Sequence, residues 1–186
     1  MATKNQVGSS LSGSQGTGSF VGSTSASFVT PTIGVATATS LALGGGTALS
    51  NFVTASWTPT FTFSTVGNLS VVYTTQNGSY TRVGDIVFVE FTLVCTPTFT
   101  TATGGARITG FPINSAKSNC AGEVGIQGAN VLYGAGFTGI NLTTTNGQSF
   151  LSLLAFGSGK VSTVIGAGSF VSGVAITFGG SIAFNV

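Results

Sequence analysis

No charged side chain occurs between Lys4 and Arg82, and the whole 186-residue chain has only five basic and three acidic residues. A typical soluble domain carries charges on roughly a quarter of its residues, and those ions keep it dispersed. Hydrophobic residues nevertheless make up 42% of the chain, which excludes a low-hydropathy disordered protein. This pattern indicates a surface that meets other chains. An ordinary Ser/Thr-rich β protein is the alternative.

The few charges also restrict the partners that we expect. The net charge is +2 and the basic residues do not cluster, so we expect no binding to nucleic acid. The segment 161–186 is uncharged and apolar, but its glycines and alternating apolar residues are typical of strands and turns, so we expect no membrane insertion. The start, MATKNQVGSSLSGS, lacks the apolar stretch of a secretory signal peptide, so we expect no such leader.

Alternating hydrophobic residues predict an all-β fold. The segment 86–95, IVFVEFTLVC, alternates with the period of a strand. The side chains expected on one face are Val87, Val89, Phe91, Leu93 and Cys95. The other face also carries apolar Phe88 and Val94, so we expect this strand to be covered on both sides.

Turn signals divide the chain into short strands. Asn77-Gly78 and Asn146-Gly147 each lie between β-rich segments and predict hairpin turns. Gly84-Asp85 is a further turn before the strand that starts at Ile86. Short strands separated by such turns are typical of β-sandwiches and barrels. We expect residues 51–186 to form a jelly-roll-like β-sandwich, which we call the knob.

Residues 1–50 have a different composition. Small and hydroxyl-bearing residues dominate them, and large apolar side chains are sparse. Such a segment buries too little apolar surface of its own to offset the entropy lost on ordering. We therefore expect an extended stalk or docking arm that becomes ordered only against other chains. A flexible linker is the alternative.

The sequence offers little for catalysis. It contains no His, so neither a Ser/His/Asp nor a Cys/His arrangement exists, and no mixed His/Cys metal site is expected. Gly134, Gly136 and Gly139 match a dinucleotide-binding pattern, but a strand pattern follows where that motif needs a helix. We expect no cofactor, no metal and no enzymatic activity.

The cysteines and acids have structural interpretations. Cys95 and Cys120 are expected to be reduced residues of the core. Glu90 lies within an apolar strand, so we expect it to be buried and paired with Arg82 or Arg107. Whether Glu123 approaches another carboxylate, as a glycosidase would need, is left open by the sequence.

Carbohydrate binding is the activity that the residues favour most. Aromatic side chains offer flat apolar faces for sugar rings, although most aromatics of a β-sandwich lie in its core. Tyr133 and Phe137 are the best candidates for an exposed tip, because they lie in the glycine-rich segment YGAGFTG.

Residues 18–113 contain a series of short motifs in a characteristic order. A small-residue segment containing TPTIGVATATS comes first and is followed by Trp57-Thr58-Pro59-Thr60. Next come Gly78, Tyr80, Arg82, Val83, Gly84 and Asp85, and then Gly110-Phe111-Pro112. In their order and spacing these motifs resemble the distal part of bacteriophage tail fibres and related virion fibre proteins.

The resemblance implies a non-enzymatic homotrimer on the virion surface, with a stalk and a C-terminal β-sandwich knob. The knob would bind a host-surface glycan or protein, and residues 1–50 would bind another virion protein, such as a tail adaptor or the major capsid protein. The main alternative is a capsid decoration or head-fibre protein that docks on the shell through residues 1–50. A secreted bacterial adhesin is a third class.

Overall fold

The computed structural model describes residues 51–127, 131–132 and 134–186. Within them, the regular elements are ten strands and one turn of 3-10 helix at Ala167–Ser169. The strands are β1 Val53–Trp57, β2 Thr60–Thr65, β3 Ser70–Val83, β4 Ile86–Thr98, β5 Thr103–Thr109, β6 Ala121–Gln127, β7 Gly139–Thr144, β8 Leu151–Phe156, β9 Thr163–Val164 and β10 Ile176–Asn185. No helix among these residues is long and apolar enough to cross a membrane.

The strands form one antiparallel sheet in the order β1-β3-β4-β10-β6-β7-β8-β5-β2, and β9 pairs with β8 beside this path. Strands β1 and β2 lie at opposite ends of that order, although only Thr58 and Pro59 separate them in the chain. The sheet must therefore curl to bring its two ends together. This curled sheet confirms the all-β prediction. The predicted stalk or arm, residues 1–50, lies outside the described residues, and the homotrimer stays a prediction.

The inner face of the curled sheet holds an aromatic core. Phe61 of β2 stacks on Phe178 of β10, with ring centroids 5.5 Å apart, so an end strand of the curled sheet packs across the core against a strand from its middle. Trp57 lies edge-on to Phe91 at 5.9 Å and to Phe111 at 5.5 Å. Fully burying side chains of this size stabilises a fold by about 1.5–3 kcal/mol each.

The predicted core face of β4 is confirmed, since its five residues from Val87 to Cys95 in alternation are all buried. The opposite face is not covered by the described residues of the chain: Phe88 is 53% exposed and Ile86 is 44% exposed. Among the described residues of one copy, the expectation of cover on both sides is therefore wrong. We call this uncovered side of β3, β4, β10 and β6 the outer face.

Two of the three predicted turns are confirmed. Gly84 adopts a positive φ of 60° between β3 and β4, and Gly147 adopts 74° between the paired strands β7 and β8. The predicted turn at Asn77-Gly78 is wrong, because β3 runs through it and pairs with β4 along its whole length. Gly78 is needed there for another reason: a Cβ at this position would lie 2.5 Å from the Trp57 ring.

Side chains form hydrogen bonds with the backbone at the start of the free edge of β2. The amide of Phe61 donates to the Tyr73 hydroxyl at 3.1 Å, and the Gln76 side-chain amide donates to the carbonyl of Pro59 at 2.9 Å. Both side chains come from β3. Burial raises the pKa of Tyr73, so the phenol stays protonated, and its hydroxyl donates to the Phe61 carbonyl at 3.4 Å.

Candidate functional site

A row of polar side chains crosses the outer face. Strand pairing places Ser79 of β3 opposite Glu90 of β4, Glu90 opposite Ser181 of β10, and Ser181 opposite Glu123 of β6. Residues that are directly paired in an antiparallel sheet point to the same face, so these four side chains lie side by side. They form the centre of an open depression of about 610 Å³, which we call the outer groove.

Missing side chains create the floor of the outer groove. Gly179 of β10 pairs with Thr92 on one side and with Gly125 on the other. A Cβ built at Gly179 would meet nothing within 4 Å, and this residue does not have a positive φ. Neither packing nor backbone conformation requires glycine at this position. Its effect is to leave space between the polar side chains of the neighbouring strands.

The next residue shows the contrast. A Cβ at Gly180 would lie 2.9 Å from the carbonyl oxygen of Glu123, 3.0 Å from Leu142 and 3.1 Å from Phe91. Packing on the core side therefore favours glycine at 180. Packing therefore explains the glycine at position 180 but not the one at 179. Of these two glycines, only Gly179 shapes the groove.

The electrostatics of the outer groove are acidic. Two of the three carboxylates of the chain, Glu90 and Glu123, line it, and no basic residue is among the described residues around it. Their strands are two positions apart in the sheet, which separates their backbones by about 9.5 Å. The Ser79 hydroxyl donates to Glu90 at 2.9 Å and holds that carboxylate in place.

The groove continues along the strands into a second depression of about 410 Å³. The same four polar residues border both depressions, and the second adds Phe88, Ala121 and Ala183. An apolar surface thus lies beside hydroxyls and carboxylates. Such a surface suits a polyhydroxylated ligand, because sugar rings combine apolar faces with hydroxyls that donate and accept hydrogen bonds.

The structure changes the interpretation of Glu90. It is exposed on the outer face and bonded to Ser79, so the prediction that it is buried and paired with arginine is wrong. The strand alternation explains this, because Glu90 lies between the core residues Val89 and Phe91. Arg82 instead lies 4.0 Å from Asp85 in the following turn, and Arg107 lies over the Phe150 ring at 4.0 Å.

Of the two aromatic candidates of the sequence, Phe137 is not among the residues that line the outer groove. Phe137 is half-buried, packs against the core and donates its backbone amide to Gly134 at 3.1 Å. Tyr133 lies outside the described residues. Their role as exposed binding aromatics stays a prediction. The segment that contains them leads into strand β7.

Sequence reasoning considered Glu90 and Glu123 but did not place them together. The missing information was that Ser181, far along the chain, pairs with both. Gly179 was missed for the same reason, since a glycine in a strand is informative only when its neighbours are known. Acidic residues are scarce in this chain, so each one was a candidate for a functional surface. Two of the three, Glu90 and Glu123, lie in the outer groove.

No protein-family model and no curated protein matches this sequence. Among solved structures, the fold is similar to part of the Dettilon tailspike protein (gp208), with a TM-score of 0.49 and 18% sequence identity. The similarity covers 72% of this chain and 24% of the tailspike chain, so this chain matches about a quarter of that protein's length. It is a likeness of backbone fold alone.

Proposed function

We propose that this chain is a non-enzymatic virion fibre protein of a bacteriophage, a homotrimer whose knob attaches to the host surface by binding glycan in the outer groove. The observation that carries the glycan-binding proposal is the row Ser79, Glu90, Ser181 and Glu123 beside the open floor at Gly179. The resemblance of residues 18–113 to virion fibres and the scarcity of charge support the virion surface as its location.

The chemistry of the groove favours binding over hydrolysis. Retaining glycosidases hold their two carboxyl groups about 5 Å apart, and inverting enzymes about 6.5–9.5 Å apart. The backbones of Glu90 and Glu123 are about 9.5 Å apart across an intervening strand, so their spacing is compatible with an inverting pair, and it is the exposure of the two side chains that favours binding. Both side chains lie exposed on an open face. An arrangement of this kind supplies hydrogen-bond acceptors to a ligand without enclosing a glycosidic bond.

The experiment is a binding measurement with a groove-filling variant. Gly179→Val places an isopropyl group in the floor, where the structure leaves space, so we expect it to lower the affinity of the knob for host-envelope polysaccharide at least about tenfold. Gly168→Val is the matched control, because a Cβ at Gly168 also meets nothing within 4 Å and this glycine lies outside the groove.

The results separate the functional classes. Purified full-length protein that binds host cells and competes with infection supports attachment, and loss of that competition in Gly179→Val assigns it to the groove. Equal binding by both variants contradicts the groove. Labelling of the capsid shell alone, with no binding to host cells and with unstable particles when the protein is absent, supports the capsid-decoration alternative instead.

A further inference from the structure

Strand β1 leaves one edge of the sheet open. It pairs with β3 on one side, and no described residue pairs with its other side. Its sequence, VTASW, contains no charge and no proline, and its register with β3 is continuous, without a bulge. Charges, prolines and bulges are the features with which proteins prevent edge strands from pairing with another chain. Strand β1 has none of them.

The opposite edge of the same sheet is partly protected. The Tyr73 side chain forms a hydrogen bond with the backbone of Phe61 in β2, and the Gln76 side chain forms one with Pro59 just before it, both at the free edge of this strand. Among the described residues, the sheet therefore has one edge whose backbone groups are partly bonded by side chains and one edge whose groups have no partner.

Apolar side chains lie beside the open edge. Phe52, directly before β1, is 64% exposed. Val53 pairs with Arg82 next to the β3–β4 turn, where Val83 and Ile86 face each other and are both exposed. A strand added to β1 would find both backbone hydrogen-bonding groups and apolar surface at the same place.

We propose that β1 is a strand-addition site for a second copy of this chain. A strand that joins this edge has to be extended, uncharged and β-prone, because a charged strand would desolvate its ions against Phe52 and Val53. The chain itself supplies such a segment: the stretch between Lys4 and Arg82, which includes β1, carries no charge. This inference rests on the proposed homotrimer, and β1 is the surface through which its copies would meet. It does not depend on the outer groove.

The test compares two threonine-to-lysine variants by sedimentation of the full chain over a range of concentrations. Thr54→Lys places a cation on the open edge, and Thr65→Lys, the matched control, places one on the protected edge strand β2; both positions are exposed. We expect the wild type and Thr65→Lys to associate beyond the 18.4 kDa monomer. Association of Thr54→Lys should weaken at least about tenfold. Near-ultraviolet circular dichroism confirms that both variants are folded.

Hydrogen exchange identifies the source of the added strand. Protection of the Val53–Trp57 amides that rises with protein concentration supports a second copy. Protection that is the same at every concentration assigns the edge to residues of the same chain and overturns the proposal, as does association of Thr54→Lys at wild-type strength. Gly179→Val should associate normally, so failure of glycan binding and failure of strand addition give different results.

Discussion

The core face and the outer face of β3, β4 and β10 use the same residue types for different purposes. On the core face, Phe178 is fully buried, and Gly78 and Gly180 are glycines because neighbouring side chains fill the space beside them. On the outer face, Phe88 is half exposed and Gly179 meets nothing. In this sheet the role of a phenylalanine or a glycine therefore depends on the face on which it lies, and the residue type alone does not reveal it.

Truncating one phenylalanine on each face should give the largest difference. Phe178→Ala removes a ring that contacts Phe61 and Phe170, and it should lower the free energy of unfolding by about 3–5 kcal/mol through the cavity that it leaves. Phe88→Ala should cost less than about 1 kcal/mol, because about half of its surface is in solvent already. Urea denaturation measures both. Equal costs would mean that the outer face is covered in solution.

The adjacent glycines give a smaller but sharper test. Gly180→Val forces a side chain against Leu142, Phe91 and the backbone of Glu123, and we expect it to destabilise the fold by about 1–3 kcal/mol. Gly179→Val should leave stability within about 0.5 kcal/mol of the wild type, since β-branched residues suit a strand and the space is open. Comparison of the urea midpoints checks this. Destabilisation by Gly179→Val would contradict an open groove floor and would also invalidate its use in the binding experiment.

Sequence reasoning succeeded where neighbours in the chain decide the structure. The alternation from Val87 to Cys95 reports directly which side chains face the core. The turns at Gly84 and Gly147 were predictable because a tight connection between adjacent strands needs a positive φ. These features depend on segments of only a few residues.

Long-range pairing decided the rest. Asn77-Gly78 has the sequence of a hairpin turn, but Trp57 packs on Gly78 from a strand that lies earlier in the chain. The outer groove depends on β10, near the C-terminal end, lying between β4 and β6. Neither the local pattern around Glu90 nor that around Glu123 contains this information, so the groove was not predictable from either segment.

The two cysteines extend the comparison to chemical reactivity. Cys95 lies on the core face of β4, and burial raises its pKa from 9.0 to about 11, whereas Cys120 is only half-buried and forms no disulfide with it. A rise of this size lowers the thiolate fraction near pH 8 about hundredfold, and the thiolate is the species that reacts with alkylating reagents. Cys95 should therefore react at least about a hundredfold more slowly in the native protein than after unfolding in urea.

The Cys120→Ser variant isolates this reaction, and mass spectrometry after timed iodoacetamide treatment measures it. The same shift has a sign for stability: between about pH 9 and pH 11 the unfolded chain releases a thiol proton that the native chain retains, so the free energy of unfolding falls as pH rises. Cys95→Ala should lose that part of the pH dependence. Rapid labelling of Cys95 in the native protein would show that β4 opens readily. It would contradict a closed core face on this strand.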